Sequence, residues 1–139
     1  MYTCIQNSEE AQDLDMSLVA ENNFEEGYVE LYLRRNGDVN AKTDSAISIE
    51  IDRAEVGYSE YWNNLNDYTW HTLRKFYFAK DTYYSDIEQI VFKDYTIEQG
   101  VRYLYCFRQY NNLGLSTSRV VSNVVEADFE DMFLYDGKR

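Results

Sequence analysis

The residues with the most chemistry to offer lie between Gly57 and Trp70, in "GYSEYWNNLNDYTW". Tyr58, Tyr61, Trp62, Tyr68 and Trp70 crowd this stretch among asparagines. Such rings stack on sugars or anchor protein interfaces, because Tyr and Trp bring large contact area at small entropic cost. A packing role, with Trp70 and Tyr68 covering one end of a core, stands beside those two readings. The candidate recognition set is Tyr58, Tyr61, Trp62 and Tyr68.

Catalytic chemistry finds less to work with. His71 is the single histidine. A nucleophilic triad would need it held by an acid and facing Ser or Cys, and no G-x-S-x-G elbow surrounds any serine. Cys4 and Cys106 lie far apart, without metal-ligand spacing, and two thiols make no disulfide framework. Both are expected reduced. Cys106 is expected to face outward or to sit in a sheet contact, and a reactive thiol would need electropositive surroundings that an acidic chain does not favour. Paired carboxylates could hydrolyse glycosides only across a cleft, for which one small domain has little room. The D-x-[DN]-x-[DN]-G calcium loop is absent, which leaves Asp128, Glu130 and Asp131 as a weak cation site or a solvated strand end. These patterns predict no enzyme, no cofactor and no metal.

A chain of 139 residues makes one domain with tails. Hydrophobic residues at 45% and aromatics at 17% suffice for a core. With 13 basic against 25 acidic residues the net charge is −12, which repels phosphate backbones and anionic lipid heads. Nucleic acid and membrane surfaces are therefore not expected partners. No apolar run approaches the ~18 residues of a membrane span, and neither a basic nor an apolar segment follows Met1. The expected product is a soluble protein made in a bacterial cytoplasm. Proline is absent, so every tight turn falls to Gly, Asn or Asp.

Period-two patterning then places the strands. Val29, Leu31 and Leu33 alternate with Glu30, Tyr32 and Arg34, and Asn36-Gly37 supplies a turn signal after them. Ile47, Ile49 and Ile51 point inward, with Ser48, Glu50 and Asp52 outward; β-branched residues suit such a half-buried surface. The segment "WHTLRKFYF" lacks a convincing 3.6 period and is taken as a strand. "IEQIVFKDYTI", Val101 to Gln109 and "SRVVSNVVEADF" complete the set, with "MSLVA" (Met16 to Ala20) as an edge strand closing an N-terminal tail. About seven short strands and little helix predict an all-β, antiparallel two-sheet sandwich. Its expected limits are 25–127, between a tail or linker at 1–24 and an extension at 128–139.

Ile97, Glu98, Gln99, Gly100, Val101, Arg102 and Tyr103, followed by Phe107, Asn111, Gly114 and Ser116, match in spacing the Leu-x-Pro-Gly-Thr-x-Tyr strand and following turn of another group. By these residues the chain resembles fibronectin type III domains. The resemblance implies that Tyr103 is a corner tyrosine, its ring in the core and its hydroxyl bonded to nearby backbone, with Gly100 supplying the turn. Tyr105 and Phe107 would then be alternate inward positions of one strand. Gln99 stands where proline is usual, and Leu33 where a buried tryptophan is usual.

The last third, from "RYLYCFRQYNN" to "FEDMFLYDGKR", is similar to segments of large structural proteins of bacteriophage tails. That similarity implies a non-enzymatic virion component, in a tail or baseplate, which contacts other virion structural proteins in a symmetric assembly. "FLYDGKR" carries the hairpin signal Asp136-Gly137 with no returning strand, which suits completion by another chain or a longer polypeptide. The rival expectation is a carbohydrate-binding or adhesion module that uses the aromatic loop 57–70, with glycan as ligand.

Overall fold

The computed structural model describes residues 15–57 and 68–130. Alternating apolar residues form β1 (Met16–Asn23) and β2 (Tyr28–Arg35), joined through Gly27, whose φ of 78° and bond from its N–H to Asn23 O (3.0 Å) close the turn. Leu31 and Val29 are fully buried from β2, and Met16, Leu18 and Ala20 from β1. Burying one Leu or Val side chain contributes about 2 kcal/mol. The sandwich thus begins at Met16, and the boundary expected at residue 25 is corrected. Met16, Leu18 and Ala20 carry the same period-two signal as β2, with which they pair throughout.

After Asn36-Gly37 the chain does not turn back on itself. It crosses to a second sheet, whose strands are β3 (Ile47–Glu55), β4 (His71–Phe78), β6 (Arg102–Tyr110), β7 (Val120–Val121) and β8 (Val125–Glu126). Its order is β4-β3-β6-β7, with β8 also on β6; the smaller sheet is β1-β2-β5, where β5 is Val91–Asp94. Every pairing is antiparallel. The result is an all-β, antiparallel two-sheet sandwich, as the alternation predicts. The expected final strand is split in two, because the Ser122 hydroxyl accepts from the Tyr105 N–H at 3.1 Å where a ladder continues less regularly.

One helix was not expected. Tyr84–Glu88 forms α1, which overlaps the start of the segment "IEQIVFKDYTI" taken as a strand, and it drives Ile87 wholly into the core. Only Val91 to Asp94 of "IEQIVFKDYTI" is strand.

The corner expected at Tyr103 is present: its ring is buried and its hydroxyl oxygen accepts the Glu98 N–H at 2.9 Å. Gly100, at φ 83°, makes the bend. Tyr105 and Phe107 point inward beside it, fully buried. Gln99, in place of proline, has its own use. Its amide donates to Asp128 Oδ1 (2.9 Å) and accepts from the Phe129 N–H (2.9 Å), so residues 128–130 lie against the sandwich rather than beyond it.

A buried carboxylate ties the sheets together. Asp94 accepts from Arg53 Nη1 (2.8 Å) and Tyr105 Oη (2.7 Å) on one oxygen, and from the Thr96 N–H (3.0 Å) and hydroxyl (2.6 Å) on the other. Burial alone would raise its pKa; the donors from Thr96, Tyr105 and Arg53 outweigh it and hold the carboxyl below its ordinary range. Burial, and then the Asp94 charge, push the Tyr105 phenol far above its own range, so it remains a donor.

Candidate functional site

The outer face of the larger sheet gathers the chemistry that the core does not use. Ser48, Glu50 and Asp52 project there from β3, as expected from the alternation, but solvent does not reach them: Asp52 is 1% and Glu50 7% exposed. The reason is register. Glu50 lies opposite Arg108 of β6 on one side and Lys75 of β4 on the other, while Asp52 lies opposite Cys106.

These neighbours form a ladder of alternating charge. Lys75 Nζ stands 3.7 Å from Glu50 Oε1, and Arg108 Nη2 donates to Glu50 Oε2 at 2.7 Å and reaches Asp52 Oδ2 at 3.5 Å. Arg119 Nη1 completes it with a 2.6 Å bond to Asp52 Oδ2. Each carboxylate therefore sits between two cations, which makes its burial tolerable. Charged side chains, with three cations to two anions, seal this face.

Aromatic rings bracket the ladder. The Arg119 guanidinium lies over the Trp70 indole at 4.7 Å, and Tyr68 meets Trp70 edge-on at 6.1 Å. At the other end, Lys75 and Arg108 both lie over the Tyr110 ring, at 4.6 and 5.6 Å. Tyr77, 76% exposed, lies on the same face across Ser48 of β3 from Tyr110. The rings are thus held by cations that are themselves held by carboxylates, an arrangement suited to rigid contact-making.

Of the expected recognition set, Tyr68 joins this face and is half-buried. Tyr58, Tyr61 and Trp62 lie outside the described residues, as do Cys4, Asp131 and the Asp136-Gly137 signal. His71 is exposed on β4, opposite Arg53 in register. Cys106 sits in a sheet contact, between Asp52 of β3 and Val121 of β7, and is completely buried there, with Arg119 Nη1 at 3.2 Å from its sulfur. Burial pushes its thiol up to about 11 in spite of that cation, so it is a protonated packing group at neutral pH. Asp128 is engaged by Gln99, and among the described residues no group of three or more His, Cys, Asp or Glu is arranged to hold a metal ion.

One open depression of about 380 Å³ lies at the β1–β2 turn, lined by Glu21, Asn22, Asn23, Phe24, Glu25 and Glu30. Its acidic and amide lining offers no convergent catalytic pair. The ladder residues Lys75, Glu50, Arg108, Asp52 and Arg119 escape a reading of the sequence because each looks like an ordinary solvated charge until the strand register is known.

No family model and no curated protein matches the chain. Among solved structures, it is similar to a fibronectin type III-like protein from Clostridium thermocellum, at 16% identity and a TM-score of 0.43, over 83% of this chain and 90% of that one. It is similar to the same degree, 16% and 0.43, to the pectate lyase PelI from Erwinia chrysanthemi, crystallised with tetragalacturonic acid, over 81% of this chain. The chain spans 28% of that lyase's length.

Proposed function

We propose that the chain is a non-enzymatic structural module that makes protein–protein contacts through the outer face of its larger sheet, as part of a bacteriophage tail or baseplate. The observation that carries the contact-making role is the exposed Tyr77 across Ser48 from Tyr110, on a face whose cations Lys75 and Arg108 are fixed by Glu50. Tyrosine and arginine held in place bind at low entropic cost. A buried, protonated Cys106 and a solvent-facing His71 support the absence of catalysis. The virion setting rests on the similarity of the C-terminal third to tail-protein segments.

Virions purified from the phage that encodes the chain should contain it, and Tyr77→Glu should lower its incorporation. Recovery only from the soluble fraction of infected cells would sink the proposal. The rival carbohydrate-binding role is favoured instead if the chain binds a glycan array or cell-wall material and Trp62→Ala abolishes that binding.

A further inference from the structure

We infer that the free edge of β4 is a docking edge for an extended, acidic strand of a different protein. This rests on the contact-making function proposed above and assigns it a partner chemistry.

The edges of the two sheets are closed to different degrees. On β1, the Ala20 N–H and C=O are both taken by the Asn123 side chain, at 3.0 and 2.9 Å. The Asn22 amide binds the backbone of Asp128 in the same reciprocal way, at 2.6 and 3.2 Å. On the far side of the larger sheet, β7 and β8 are two residues each, and on the far side of the smaller sheet β5 has four. By contrast β4 runs for eight residues at the end of its sheet, and among the described residues no strand pairs with its second side. Every second N–H and C=O of such a strand points away from its one neighbour.

Charge selects the occupant. Between Trp70 and Lys80, "WHTLRKFYFAK" holds His71, Arg74, Lys75 and Lys80 and not one acid, in a chain of net charge −12. His71, Thr72, Arg74, Lys75 and Tyr77 are all exposed. A second copy of β4 is a poor partner. Antiparallel self-pairing sets the Arg74-Lys75 centre of one strand against the same centre of the other, and like charges facing each other across strands are unfavourable. An acidic strand gains from the same residues, while the negative surface elsewhere repels it, so it is steered to this edge. Apolar residues toward one end of such a strand would also cover Leu73, Phe76 and Phe78, which the core leaves only partly buried.

The test uses the full chain with two short acetylated peptides, one alternating valine with glutamate and one alternating valine with lysine. Hydrogen–deuterium exchange should slow at β4 amides, and not at β1, when the glutamate peptide is added. Binding should weaken with salt and be absent for the lysine peptide. Arg74→Glu combined with Lys80→Glu should weaken binding about tenfold while circular dichroism stays unchanged, since the Lys75–Glu50 pair is left in place. No slowing at β4, equal binding of both peptides, or sedimentation showing self-association that this double variant abolishes would each overturn the inference. If β4 fails in this assay while virion incorporation persists, the docking edge falls and the proposed function stands.

Discussion

Tyr105 Oη donates a 2.7 Å hydrogen bond to Asp94 Oδ2, and so joins the larger sheet to the smaller one from the middle of the core. Tyr105→Phe removes one charge-assisted bond while Arg53 and Thr96 keep the carboxylate engaged, and it should cost about 2 kcal/mol in urea denaturation. Asp94→Asn leaves the Arg53 guanidinium, 16% exposed, without its counter-charge and should cost about 3 kcal/mol. Equal stability of wild type and Asp94→Asn would mean that the network contributes nothing net.

The same carboxylate sets a pH dependence. Its folded pKa lies below the unfolded value of about 3.9, so the unfolded chain binds more protons in the acid range. The stabilisation is complete above the unfolded pKa and is lost as pH falls through the lower folded value. Tyr105→Phe removes a donor that lowers the folded pKa, so its loss of stability on acidification should start at the same pH as in wild type, be smaller in total and finish at higher pH. Thermal melts from neutral pH down to the acid range would test the order.

The corner is open to two separate substitutions. Tyr103→Phe deprives the Glu98 N–H of its acceptor and should cost about 1 kcal/mol. Gly100→Ala meets no atom within 4 Å, so its cost comes from the backbone at φ 83° alone and should be about 1–2 kcal/mol. Each should lower the melting temperature by a few degrees, and a neutral Gly100→Ala would contradict the assigned backbone conformation.

Cys106 should resist thiol reagents in the folded protein, since it is buried and its pKa lies at about 11. In a Cys4→Ser background, modification by Ellman's reagent should proceed only at the rate of unfolding and accelerate on addition of urea. Rapid reaction in native buffer would refute the buried, protonated state.

Asn123→Ala would strip both hydrogen bonds from Ala20 and should cost about 1–2 kcal/mol. Faster exchange of the Ala20 amide is the specific readout. Unchanged exchange would show that the Asn123 side chain does not close this edge.

Much of the sandwich is legible in the sequence, and where it is not, a physical reason can be named. Val29, Leu31 and Leu33, like Ile47, Ile49 and Ile51, announce strands because side chains alternate strictly along extended backbone. Tyr103 and Gly100 are readable as a corner because that turn needs a positive φ and its ring needs a nearby backbone partner. Helix α1 is not readable: five residues are too few for a 3.6 period to declare itself, and Ile87 is drawn inward by the core it fills. The extent of β1 was legible in Met16, Leu18 and Ala20, but the polar residues around them resemble a tail.

By itself, then, the sequence determined the strands, their inward faces and the turn at Gly100, since these depend on local periodicity and on the conformational limits of single residues. Only the tertiary structure decided that Glu50 and Asp52 are buried among Lys75, Arg108 and Arg119, that Cys106 is sealed beside them, and that among the described residues no strand pairs with the second side of β4. Those outcomes depend on which strands lie side by side and in what register, and pairing between residues as distant as Asp52 and Arg119 is set by the packing of the whole sandwich.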